Sequence, residues 1–161
     1  MKGVYGRILR IDLTAQQFQI QVPDEHILLS CLGGKGLASY LLYENNPARV
    51  DPFSPDNTLI FSTGPITRSS IWGSSRYGVY TKSPQTGIYS ESYAGGKVPE
   101  AVDASGFDAI MISGKSRTPV ILLIHPEGAE FHDAVHIWGM DTYETEDAVN
   151  ALFSRQLLKG E

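Results

Sequence analysis

Apolar and polar residues alternate along the first part of the chain. Ile8, Leu9, Ile11 and Leu13 precede Thr14-Ala15-Gln16, and Phe18, Ile20 and Val22 follow it. A period of two on both sides of a short polar turn predicts a β-hairpin. The period then changes. After Gly33-Gly34-Lys35-Gly36, residues Leu37, Tyr40, Leu41 and Glu44 recur at spacings of three and four, which predicts a helix over 33–45 stopped by Asn45-Asn46-Pro47. A proline-rich connection over 51–56 leads to the apolar run Leu59-Ile60-Phe61, ended by Gly64-Pro65. Residues 77–81 and 87–90 read as two further strands around the Ser83-Pro84 turn.

The second half repeats this plan. Gly95-Gly96-Lys97 opens a helix over 95–105, with Pro99 near its start, where a missing N–H costs least, and Gly106 as its stop. Strands are predicted over 109–112, 120–124 and 129–131. Asp141 followed by Glu144 has the spacing of a capping box, and Ala148, Val149 and Leu152 form one face of the helix behind it. Strands, a helix behind Gly-Gly-Lys, strands, and a second helix behind Gly-Gly-Lys predict one α+β domain over 1–161 with two similar halves.

Composition narrows the function classes. The 161 residues are 42% hydrophobic and 19% charged, enough apolar material for a core and too little polarity for disorder. The net charge of −5 is spread along the chain with no Lys/Arg cluster, which disfavours nucleic acid and membrane surfaces as partners. The longest apolar runs, such as 120–124, are far below the ~20 residues of a membrane span. The single cysteine, Cys31, lies in an apolar run and reads as a small buried hydrophobe. It cannot form an internal disulfide or supply the four thiolates of an iron–sulfur cluster. These features predict a cytoplasmic protein.

Several familiar motifs fail. Gly114-Lys115-Ser116 lacks the first glycine of a phosphate-binding loop, because Ala109 stands there, and Pro119 follows too soon for the required helix. Gly34-Lys35-Gly36 has no glycine three positions on, so the dinucleotide fingerprint is absent. His26, His125, His132 and His136 have no metal-ligand spacing, and no serine sits in a nucleophile elbow.

The unusual stretch is 63–97. It holds Thr63-Gly64-Pro65-Ile66-Thr67, Ser74-Ser75-Arg76-Tyr77, Thr81-Lys82-Ser83-Pro84 and Ser92-Tyr93-Ala94-Gly95-Gly96-Lys97. Glycines allow close backbone approach to a ligand, and Gly95-Gly96 at a helix start would present free N–H groups to an anion. The rigid donor fork of Arg76 suits a phosphate. The same residues also read as ordinary hairpin turns with one surface arginine.

The segments 33–44, Thr63-Gly64-Pro65, Arg76-Tyr77, Thr81-Lys82-Ser83-Pro84, Gly95-Gly96, Gly106-Phe107-Asp108-Ala109-Ile110 and Ile137-Trp138-Gly139 occur in an order and spacing that resembles the N-terminal domain of the tungsten-containing aldehyde:ferredoxin oxidoreductases. The resemblance covers about residues 3–152. It implies an internally duplicated α+β unit forming a saddle under a tungsten (or molybdenum) bis-pterin cofactor with a bridging magnesium ion. By position, Arg76 would contact the pterin, Tyr93, Ala94, Gly95 and Gly96 would line the cofactor, and the Tyr93 main-chain carbonyl would ligate magnesium. Tyr93-Ala94 stands where Asn-Ser often precedes the glycine pair, and Lys97-Val98 replaces the usual aromatic pair.

In such a family a [4Fe–4S] cluster passes electrons from the oxidised aldehyde to ferredoxin. The cysteines, the second phosphate seat and the acid–base groups for that task are not in these 161 residues. The resemblance therefore implies a fragment or split subunit that needs C-terminal domains or a partner subunit and is inactive alone. The alternative is a non-catalytic subunit or interaction module reusing the fold.

Overall fold

The pattern of alternation sorts into one mixed sheet with helices on both faces. The computed structural model describes residues 3–154. In chain order the elements are β1 (Ile8–Asp12), β2 (Gln17–Gln21), α1 (Glu25–Cys31), α2 (Gly34–Asn45), β3 (Leu59–Thr63), β4 (Tyr77–Lys82), β5 (Tyr89–Ala94), α3 (Val98–Ala104) and β6 (Ala109–Ser113). There follow β7 (Val120–His125), β8 (Gly128–Asp133) and α4 (Thr142–Phe153). Six strands form a sheet in the order β2-β1-β6-β3-β4-β5, and β7 and β8 form a separate antiparallel ribbon. β1 runs parallel to β6 with Ile8 opposite Ala109, and the other neighbours in the large sheet are antiparallel. The fold class is α+β, as predicted.

Because side chains alternate across a strand, the sheet separates two apolar cores. Ile8, Ile60, Tyr80, Ala109 and Met111 face Leu28 of α1 and Leu37, Ala38, Leu41 and Leu42 of α2. Leu9, Ile11 and Ile110 face the other way, toward Phe107, Val102 of α3 and the β7–β8 ribbon. α1 and α2 can lie close because residue 36 is glycine: a β-carbon there would collide with the Cys31 carbonyl oxygen.

The two halves correspond in order. Exchanging β1, β2 and β3 with β4, β5 and β6 reverses the sheet onto itself, and the helices that follow each hairpin pack on opposite faces. They do not correspond in direction, since β6 is parallel to β1 whereas β3 is antiparallel to β4.

Several boundaries shift from the sequence expectations. The run containing Cys31 is a helix, and Cys31 is half-buried against the first core. On α2 the buried face includes Ala38 and Leu42, while Glu44 is exposed. The strand expected over 87–90 lies at Tyr89–Ala94, and the helix expected from Gly95 begins at Val98. On α4 the capping box forms, with the Asp141 carboxylate accepting from the Tyr143 and Glu144 N–H groups. Phe153 is its buried anchor, and Leu152 is exposed.

Asp108 closes the parallel β1–β6 register. Its buried carboxylate accepts the Tyr5 N–H at 2.9 Å, the Gly6 N–H at 2.7 Å and the Arg7 N–H at 3.1 Å, and the Asp108 N–H donates to the Arg7 carbonyl. Hydrogen bonds to a charged acceptor contribute about 1.5–3 kcal/mol each, less where water can replace them. Asp108→Ala is therefore expected to lower unfolding free energy by on the order of 3 kcal/mol or more in urea titrations. A loss below about 1 kcal/mol would show that the clamp is not needed for the register.

Candidate functional site

The strand directions bring a particular set of loops to one end of the sheet. The segment before β1, the loop after β3, the start of β4, the end of β5 and the segment before β6 all lie there. The β4–β5 ladder places Tyr77 opposite Ala94 and Gly78 opposite Tyr93, so Arg76 and Gly95 extend side by side from the same end of the hairpin. A β-carbon on Gly95 would lie 2.6 Å from Arg76 Nη1 and 3.2 Å from its Cζ. The guanidinium thus rests on the bare Gly95 backbone, at a distance no other residue type allows without moving the arginine. Arg76 Nη1 also donates to the Ser75 carbonyl at 2.9 Å.

Gly96 has φ +79° with open space around its missing side chain. Among the described residues, neither the Gly95 nor the Gly96 N–H donates to a protein acceptor. These two amides precede the short helix α3, whose N-cap is Lys97, so their value as donors comes from being unpaired and not from a helix dipole. Tyr93 and Ala94 lie on the exposed edge strand β5. An edge strand leaves alternate main-chain carbonyls without a ladder partner.

The loop over 64–76 is ordered by its own polar groups. Thr67 Oγ accepts from the Gly64 N–H at 3.3 Å and donates to the Arg76 carbonyl at 3.4 Å. Gly64-Pro65 packs against the start of α2, where a β-carbon on Gly33 would lie 3.1 Å from Pro65 Cδ. Arg68 approaches the buried Asp103 carboxylate at 3.9 Å, and Asp103 also accepts from the Tyr5 hydroxyl at 2.9 Å. Burial raises the Asp103 pKa above the ordinary carboxylate range despite these partners.

The expected site residues Arg76, Tyr93, Ala94, Gly95 and Gly96 are therefore brought to one end of one hairpin. A cationic fork and two free N–H groups form a donor set with the chemistry of an anion seat. No group of His, Cys, Asp and Glu among the described residues is arranged to hold a metal ion. A groove of about 700 Å³ lies between the end of α2 and the β4–β5 turn, lined in part by Arg49, Lys82 and Tyr89. It is at the opposite end of the hairpin from Arg76.

Sequence reasoning missed the residues behind the seat. Lys35 Nζ contacts Glu91 Oε1 at 2.8 Å, and the Tyr89 hydroxyl donates to Glu91 Oε2 at 3.0 Å. Tyr80, almost wholly buried, lies along β4 over Gly78, where a β-carbon would collide with its ring and hydroxyl. Burial, with a hydrogen bond to Tyr93, holds its hydroxyl far above the ordinary tyrosine pKa. The available signal was the alternation Tyr89, Glu91, Tyr93, which places three polar-tipped side chains on one side of a strand.

Residues 8–158 match the family profile described as "Aldehyde ferredoxin oxidoreductase, N-terminal domain". The tungsten-containing aldehyde ferredoxin oxidoreductase of Pyrococcus furiosus is 40% identical over 149 residues, covering 92% of this chain and 25% of that protein. The protein of the same name from Pyrococcus abyssi is 42% identical over 149 residues, covering 92% of this chain and 24% of that one. The "Aliphatic sulfonate oxidoreductase, WOR-like subunit" of Pyrococcus furiosus is 30% identical over 168 residues, covering 99% of this chain and 27% of its own length. A chain in the structure titled "Active site complex BamBC of Benzoyl Coenzyme A reductase in complex with 1,5 Dienoyl-CoA" superposes with a TM-score of 0.91 at 32% identity. That similarity covers 96% of this chain and 24% of the other. The chain spans about a quarter of the length of the relatives it matches.

The contact between Gly95 and Arg76 has a direct test. In Gly95→Ala the new methyl group clashes with the far end of a flexible side chain and meets the Ser75 carbonyl oxygen at an ordinary 3.6 Å, so unfolding free energy is expected to fall by less than about 1 kcal/mol. A crystal structure of the variant is expected to show the guanidinium swung off the backbone. An unmoved Arg76 would show that the contact is looser than its geometry indicates.

Proposed function

The chain belongs to the aldehyde ferredoxin oxidoreductase family, and from that premise we propose that it is the cofactor-cradling N-terminal domain of a tungsten-dependent enzyme oxidising aldehydes to carboxylates. The observation that carries this reading is the packing of Arg76 on Gly95 beside two unpaired N–H groups. The name shared by the two relatives at 40% and 42% identity supports tungsten and aldehydes over sulfonates or coenzyme A thioesters.

In this reading the chain's own residues bind and orient. The Arg76 guanidinium and the Gly95 and Gly96 amides receive an anionic phosphate of a bis-pterin cofactor, and the Tyr93 main-chain carbonyl serves as one ligand of the bridging magnesium ion. Ala94 keeps the strand end small enough for close approach. When bound, the tungsten–pterin group supplies the two-electron redox centre, and the protein supplies binding and orientation. Residues 1–161 act as one duplicated, saddle-shaped domain in the cytoplasm. The [4Fe–4S] cluster, the aldehyde site and the ferredoxin contact belong to further domains or a partner subunit. A non-catalytic module reusing the fold is the less supported reading, because the fold itself has no need of Arg76 and Gly95 in contact.

One charge-assisted contact is worth about 1.5–3 kcal/mol, roughly ten- to hundredfold in affinity. In the complete enzyme, Arg76→Ala is expected to lower tungsten per polypeptide, while protein from cells grown without tungstate unfolds at the wild-type temperature. Arg76→Lys, which keeps charge but loses the fork, should fall between. Wild-type tungsten content in Arg76→Ala would remove Arg76 from the site.

The 161-residue chain on its own is expected to show no viologen-linked aldehyde oxidation and no iron–sulfur absorbance after reconstitution with iron and sulfide. One cysteine cannot supply four thiolates. Measurable turnover by this chain would overturn the assignment of catalysis to the remaining domains.

A further inference from the structure

The candidate seat is built at the end of an edge strand. β5 is an edge strand that pairs only with β4, and Ser92, Tyr93 and Ala94 at its end are exposed. Ends of edge strands open locally at little cost, because few contacts hold them. A main chain that must hold an anion in fixed geometry needs a brace there.

The structure contains one. Glu91 lies two residues before Tyr93 on the same side of β5. Lys35 from the first turn of α2 grips its carboxylate at 2.8 Å, and Tyr89 donates to its other oxygen at 3.0 Å. Ser39, one turn further along α2, is 2.9 Å from the Tyr89 hydroxyl. On the inner side, Tyr80 meets Tyr93 ring edge to ring face, with centroids 6.0 Å apart. β5 is thus tied to α2 at its start and middle through Tyr89 and Glu91, and to β4 near its end through Tyr93. Lys35 and Glu91 hold each other charged: the ammonium is pushed above its ordinary range and the carboxylate below its own.

The pairing has a second effect. An unneutralised carboxylate two residues from Tyr93 would repel any anion arriving at Gly95 and Gly96. Lys35 cancels that charge, so the same contact orders the strand and clears the local field.

We propose that Glu91, held by Lys35 and Tyr89, is a positioning residue for the Tyr93–Gly96 main chain. It braces the free edge of the sheet against α2, so the seat is ordered before its ligand arrives. This rests on the reading of Arg76 and Gly95-Gly96 as the cofactor seat. It assigns a role to Lys35 of the first Gly-Gly-Lys motif, which the seat itself does not touch.

The test uses the complete enzyme, with Lys35→Met, Glu91→Met and the charge-swapped pair Lys35→Glu with Glu91→Lys. Amide hydrogen exchange is measured on protein from cells grown without tungstate, so that it reports the chain's own order. Each single variant is expected to speed exchange of the β5 amides that pair with β4, up to Ala94, by about tenfold, with the β1 and β6 amides unchanged. The swapped pair is expected to return it to within about twofold of wild type. In cells grown with tungstate, metal content should fall in the single variants and recover in the swap.

Unchanged exchange of the paired β5 amides in the single variants would overturn the proposal, and so would a loss of protection spread evenly over the sheet. If Arg76→Ala empties the enzyme of tungsten while the single variants do not, the seat stands and the brace fails. If tungsten is indifferent to Arg76→Ala as well, the seat reading itself fails, whatever the exchange shows.

Discussion

The architecture depends on a parallel pairing between strands about a hundred residues apart, and Asp108 is the group that fixes it. No turn can impose a parallel neighbour, so β1 and β6 must find each other through contacts of high sequence separation. The Asp108 carboxylate answers three consecutive N–H groups just before β1, and its own N–H returns to the Arg7 carbonyl. A shift of one residue would break all of these bonds and turn Leu9, Ile11 and Ile110 away from their core. With β6 locked between β1 and β3, the two hairpins are pushed to the outside of the sheet. The β4–β5 hairpin thereby acquires a free edge and the exposed end that carries Arg76, Tyr93 and Gly95.

That end is crowded by backbone, and glycine is what permits it. Gly33 lets the start of α2 sit on Pro65, Gly36 lets α1 sit on α2, and Gly95 lets Arg76 lie against β5. The first two serve packing between elements. The third brings a cation onto main chain at the surface, where no packing is gained. Charge is arranged to match: Glu91, the acidic group on the same side of β5, is neutralised by Lys35.

The sequence pattern made the strong elements legible. Alternation at Ile8, Leu9 and Ile11, the Gly-Gly-Lys start of α2, and the Asp141–Glu144 box each act locally, and local signals survive tertiary context. Where packing decides, reading failed. The run over 27–32 is short and apolar, so periodicity could not tell helix from strand; in the fold it is α1, with Leu28 packed in the same core as α2. β5 runs past the expected Ser90 because β4 supplies partners as far as Tyr77, opposite Ala94. Gly95 and Gly96 are consequently strand-end residues and not the first turn of a helix. Phe153 replaces Leu152 as the buried residue of α4, since its ring packs edge-on against His132 of the ribbon, a partner that periodicity within one helix cannot reveal. The convergence of Arg76 with Tyr93–Gly96 was legible because two strands joined by one turn must return beside their start. The Lys35–Glu91 contact was not, because it joins a helix to an edge strand across 56 positions with no shared pattern.

What separates function from folding at this site is the pattern of debts among its residues. Asp108, Gly36 and Tyr80 are each required by something buried: a register, a helix contact, a filled core. Arg76 and Gly95 are required by nothing buried. The Arg76 side chain is exposed, and its hydrogen bond goes to the carbonyl of its own neighbour. Gly95 adopts no left-handed conformation, so its backbone alone does not demand glycine. Only the proximity of the guanidinium does. Each of the two is explained by the other, and under the proposed reading their remaining donors are left for a ligand.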